Sequence, residues 1–321
     1  MARSTRLLAL LLLAACASPS HPTPVYEASD EPPPPPPPPE PTAGDEQPAR
    51  RVVRGAVTEP FLYAVRNAEG APPSLLFGLL PTGVSFDQAF PAERLDLIDQ
   101  ARVLYVAVDP TTPDPAEVSR VLSLRRGTAA ELFPARVWHA LTEELRLTTP
   151  VEQLRGARPF YSQHALLNAR RATLEPDPPE PMLDTFVRYV GERGKELQSF
   201  DTLVGELRVL GTVPDAQFVA LTTRMVDDRE GTDQRLLSMR ESYLEGDEIR
   251  IGQLLDDPED RRLAPALSRT MSRRHDEWLA TMRREIDEGT AFFALEVSHL
   301  LGSEGLIAKL REAGYTVERL D

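Results

Sequence analysis

Residues 291–320 close the chain as an apolar run (AFFALEV), a helical stretch over 303–313, Gly314 and a second short extended segment at 316–320. Two strands separated by a helix cannot form a tight hairpin, so the unit predicts parallel pairing with a right-handed crossover. Further strand-like runs lie at 61–65 (FLYAV) and 74–80 (SLLFGLL), joined by a turn-rich stretch over 67–73. Another, at 103–108 (VLYVAV), is ended by Pro110 as a buried strand would be, and 196–200 is a weaker candidate. Apolar spacing predicts helices within 86–102 and over 116–124, 130–145, 151–169, 182–194, 215–244 and 260–288. Pro134, Pro150 and Pro159 mark boundaries or kinks. The predicted class is α/β, a mixed sheet formed by N- and C-terminal strands with a large helical insertion covering it. The alternative is a sheet domain beside a separate helical one, with a break in the proline-rich loop near 175–181.

The N-terminal part follows other rules. Arg3 and Arg6 precede a leucine-rich run over 7–13, and small residues follow, as in a secretory signal too short to span a membrane. Leu13-Ala14-Ala15-Cys16 looks like a bacterial lipobox, which implies cleavage before Cys16 and lipidation of its thiol. An ordinary signal peptide with an incidental cysteine is the alternative. Cys16 is the single cysteine of the chain, so it has no disulfide partner within it. More than one acyl chain gives stable anchoring. Ala17 rather than aspartate follows; in a Gram-negative lipoprotein that implies the outer membrane, facing the periplasm or the cell surface. Residues 16–55 then read as a tether, because the unbroken prolines 32–39 cannot bury surface and extend as polyproline II. The expected organisation is a signal at 1–15, a lipidated tether at 16–55 and one domain at 56–321. A net charge of −14 argues against nucleic acid or an anionic lipid surface as partner.

Several chemistries are missing from the sequence. It holds no Gly-x-Ser-x-Gly elbow, no His-Glu-x-x-His and no phosphate-cradling glycine loop. Outside the tether, histidine occurs only at 139, 164, 275 and 299, with spacings that do not suggest a three-histidine zinc site. The C-terminal motifs carry more. Arg274-His275-Asp276-Glu277-Trp278 is followed by Gly289-Thr290-Ala291-Phe292-Phe293-Ala294. Ser298-His299-Leu300-Leu301-Gly302 and Gly305-Leu306 come next, then Leu310-Arg311-Glu312-Ala313-Gly314-Tyr315-Thr316-Val317.

This stretch resembles the TraB/GumN family, which includes the Tiki peptidases. Met182-Leu183-Asp184, Phe200-Asp201-Thr202 and Tyr243-x-x-Gly246-Asp247 fit its other anchors, over roughly 61–320. The resemblance implies an α/β domain with paired Gly-x-x-His motifs at strand ends, and in animal members a divalent-metal-dependent peptidase. Matched position by position, Gly78 keeps the first glycine but Pro81 stands at its histidine. Glu296 replaces the second glycine while His299 is kept. Ala107 takes the place of an acidic residue, with Asp109 two residues on, and Arg274-His275 stands where Arg-Asn is usual.

Two readings follow. In one, this is a non-catalytic, membrane-anchored lipoprotein that binds a peptide, glycan or protein partner in the old cleft. In the other it is a metal-dependent hydrolase using Mn, Co or Zn. There His299, Glu296 and Asp109 would be metal ligands, and His299, Arg274 and Glu296 the catalytic groups. Competing roles are a backbone carbonyl partner for His299, an ion pair to Asp184 or Asp201 for Arg274, and a rescuing ligand role for His275. One histidine needs two or more carboxylates to hold such a metal, which favours the binding reading.

Overall fold

Alternating apolar segments at the two ends of the domain meet in one sheet. The computed structural model describes residues 57–111 and 113–320. The signal, the tether and Cys16 therefore lie outside the described residues. The strands are β1 (Leu62–Arg66), β2 (Ser74–Leu79), β3 (Val103–Val108), β4 (Leu197–Asp201), β5 (Ala291–Glu296) and β6 (Thr316–Arg319). They form a six-stranded sheet in the order β4-β3-β5-β2-β1-β6. β4, β3, β5 and β2 are mutually parallel, while β1 runs antiparallel to both β2 and β6.

The closing strand–helix–strand unit departs from expectation. β5 and β6 run in the same direction but do not pair, because β2 and β1 lie between them. The cause is in the side chains. β5 is apolar on both faces and takes the interior slot between β3 and β2, where both of its edges and both of its faces are covered. β6 (TVER) buries only Val317 fully and suits an outer position against β1, with Val65 opposite Val317.

Sixteen α-helices are found among the described residues. The first five are α1 (Phe86–Ala89), α2 (Leu95–Gln100), α3 (Pro115–Leu122), α4 (Ala129–Leu132) and α5 (Ala135–Leu145). Next come α6 (Val151–Gly156), α7 (Pro159–Leu174), α8 (Met182–Glu192), α9 (Leu203–Leu210), α10 (Asp215–Asp227) and α11 (Arg229–Glu245). The last are α12 (Glu248–Leu255), α13 (Pro258–Leu263), α14 (Pro265–Glu288), α15 (Val297–Leu300) and α16 (Leu306–Glu312). Two long predicted helices are each broken in two. Asp228, outside the helical region at φ −118°, ψ 69°, ends α10 and caps α11 through Gly231 N. Pro265 cannot continue α13 and instead begins α14. α9 and α12 were not expected; each is short, and each is started by a side-chain cap, from Thr202 and from Asp247.

Alternation along β5 sorts the aromatic core into two faces. Phe292 packs with Phe90 and Phe186 on one side. Phe293 packs with Tyr105 and Phe200 on the other, and Phe200 stacks on Trp278 of α14 at 4.9 Å. A second apolar cluster, built by α3–α7, α9 and α10, joins the sheet through Val108 at the end of β3. It draws residues from both sides of 175–181, so that loop does not separate a sheet unit from a helical one. Among the described residues no helix is long and apolar enough to cross a membrane.

Candidate functional site

Four parallel strands finish on the same edge of the sheet. Asp201, Asp109, Glu296 and Pro81 therefore stand at or just beyond the ends of β4, β3, β5 and β2, in that spatial order. Open α/β sheets place their ligands at this edge. Gly78 lets β2 pass close to the start of α15 and to Phe61: a Cβ on it would meet Val297 Cγ1 at 2.8 Å and Phe61 Cβ at 2.9 Å. After Glu296 the chain turns directly into α15, which carries His299.

His299 is buried, and its Nδ1 lies 3.1 Å from Nε2 of His275. Nδ1 of His275 lies 2.8 Å from the carbonyl oxygen of Glu304. A carbonyl only accepts, which assigns the proton on His275 to Nδ1. Burial holds the pKa of His275 below the ordinary value of 6.5, against the pull of that carbonyl. Burial, then His275 and Arg274, hold His299 well below it. With both rings neutral, His275 accepts at Nε2, His299 donates from Nδ1, and the lone pair of His299 rests on Nε2. The backbone carbonyl expected as the partner of His299 belongs to His275 instead.

Arg274 lies one residue back on α14 and is only 2% exposed. Its guanidinium is 3.3 Å from both Asp201 and Glu206, and 4.8 Å from the ring centroid of Trp278. Trp278 in turn packs 4.9 Å from His299. Of the two acids proposed for Arg274, only Asp201 is used. Asp184 is half-buried on α8, where burial and Glu180 raise its pKa. Glu296 is half-buried and accepts from the Ser298 hydroxyl at 3.2 Å. Burial raises its pKa, and Glu206 adds repulsion. Glu206 is itself raised by burial, against the pull of Arg274.

The expected metal set is not assembled. No hydrogen bond joins Glu296 to His299, and Asp109 turns its carboxylate back onto Thr111 N at 2.8 Å. Pro81 supplies no donor, and His299 offers a single lone pair, at Nε2. Among the described residues no three His, Cys, Asp or Glu side chains converge as a metal ion would need. These residues do not fit a divalent metal.

A cavity of about 450 Å³ opens beside the paired histidines. α7, α10–α12 and α14 wall it, with His275, Ser298 and Glu304 at its sheet end. Arg171 lines it as well, and also lines the smaller neighbouring cavity that holds Pro81. Sequence reasoning missed Arg171, Glu206 and the Glu304 carbonyl. A charged residue on α7 carries no periodic mark that separates it from a solvated one. Its neighbour Arg170 has an opposite fate, buried against Glu144 and the Met225 carbonyl.

Charged side chains gathered at the carboxyl ends of parallel strands, beside a helix-walled cleft, define the class of this protein as an α/β domain with a cleft at its strand ends. The chain belongs to the TraB/PrgY/gumN family, whose model matches residues 61–319. No curated protein and no solved structure matches it.

Proposed function

We propose that this TraB/PrgY/gumN-family protein is an envelope lipoprotein that binds a peptide, glycan or protein partner in the helix-walled cleft, without metal-dependent hydrolysis. One observation carries the reading. The groups at the strand ends that a hydrolase would turn toward substrate are bonded to one another or to the backbone, while an open cleft lies next to them. Polar groups paired in this way hold a wall in shape rather than attack a bond.

The metal question tests the reading directly. Protein dialysed against Mn²⁺, Co²⁺ or Zn²⁺ should retain no stoichiometric ion by elemental analysis. An equivalent of metal that His299→Ala removes would overturn the proposal. Anchoring rests on the Leu13-Ala14-Ala15-Cys16 motif. Cys16→Ser should move the protein out of the membrane fraction, and a variant still fully membrane-bound would refute the anchor.

A further inference from the structure

The charges lining the cleft are almost all spoken for. Arg224 and Arg235 each bridge Asp257 and Asp260 at 2.6–2.9 Å, a closed cage of two cations and two anions. Arg261 is paired with Asp256, and Asp228 caps α11. Glu304 accepts from Ser272 at 2.7 Å and faces Lys309. Arg171 stands apart: among the described residues its guanidinium makes no hydrogen bond and no ion pair, while its backbone carbonyl accepts from Glu175 N. Glu296 attracts it without ion-pair contact, while burial lowers its pKa from the ordinary arginine value. Half-buried in the wall, its guanidinium has given up part of its hydration and gained no fixed anion in return.

The rest of the wall is apolar. Leu167, Leu221, Leu236 and Leu267 line the cavity, joined by Met225, Met239 and Met271. Those are three of the six methionines of the chain, gathered in one cleft. Methionine adapts to apolar ligands of varied shape. The cavity lies within the ~300–1,000 Å³ range of small-ligand sites.

Building on the cleft-binding reading above, we infer that the cleft takes an apolar monocarboxylate, its carboxylate seated on Arg171 and its apolar body on the leucine and methionine wall. The planar guanidinium offers paired donors that match a carboxylate. Arg171 is the lining arginine without an ion-pair partner, and one guanidinium seats one carboxylate. Such a carboxylate is offered by a free fatty acid or by the C-terminus of a short apolar peptide.

Isothermal titration with four probes separates these sources: dodecanoate, dodecanol, a leucine-rich tripeptide with a free C-terminus, and its C-terminal amide. At least one acid should bind roughly tenfold or more tightly than its neutral counterpart, the usual worth of a charge-assisted pair. The acid that binds identifies the source. Arg171→Met should erase that preference and leave the melting temperature unchanged or raised, because it removes an unpaired, half-buried charge. Arg171→Lys should keep part of the preference. A structural arginine would instead lower the melting temperature when replaced. Equal binding of acid and neutral probe, with no effect of Arg171→Met, overturns the inference, as does failure of every acid to bind. The proposed function is tested separately, by metal bound through His299 and by the membrane partition of Cys16→Ser.

Discussion

At the scale of single residues, Arg274 is the side chain whose removal should cost most. It neutralises Asp201 and Glu206 from a position only 2% exposed. Arg274→Ala strands two carboxylates and should destabilise by about 3–5 kcal/mol in urea unfolding. The paired histidines make stability pH-dependent in a defined direction. Both are held below 6.5 in the folded protein, so the unfolded chain takes up protons first. Their contribution is complete above that value and is lost as the pH falls below it, at up to ~1.4 kcal/mol per unit per histidine. Urea melts between pH ~7.5 and ~5.5 should show this loss, and His299→Gln should flatten it. Glu296 works in the opposite sense. Its raised carboxyl favours the folded state only at low pH, and the contribution is lost as the pH rises through the folded value. Glu296→Gln should therefore stabilise the protein near neutrality, read as a higher melting temperature. His299 and Arg274 were singled out by the family resemblance. The Glu304 carbonyl and Arg171 were not, since a backbone acceptor has no letter of its own and an unpaired arginine spells like a paired one.

At the scale of elements, burial on one face or on two decides position. The runs at 62–66, 74–79, 103–108 and 291–296 could be read as strands because their apolar residues fill a face or both faces. Which strand neighbours which could not be read. Pairing is settled between segments distant in sequence, and the crossover rule gives handedness without saying how many strands are skipped. Helix ends were harder still, since Asp228 stops one long amphipathic run only because its side chain caps the next. Gly78 illustrates the tolerances within an element. Gly78→Ala would press a methyl group into Val297 and Phe61, and should cost about 1–3 kcal/mol. Chemical denaturation would show it, while the far-ultraviolet spectrum at low denaturant stays unchanged.

At the scale of the whole molecule, sheet and helical cap share no dividing boundary at 175–181, and the cleft lies where they meet. The predicted mixed sheet with a helical insertion was visible because strand-like runs sit at both ends of the domain. The cleft was not visible, since its wall comes from helices scattered between residues 163 and 305. The position of β5 has a consequence in time as well as in space. The strand that fills the middle of the sheet is among the last parts of the domain to be synthesised, so β2 and β3 each keep an open edge until residue 296 has emerged. Unpaired apolar edges recruit other chains, and pairings so distant in sequence form slowly. A chain cut after Gly289 should retain helix but aggregate, measurable as lost soluble yield together with dye-binding apolar surface. The N-terminal nine-tenths of this domain is thus, until β5 arrives, a client for whatever keeps unfinished chains apart.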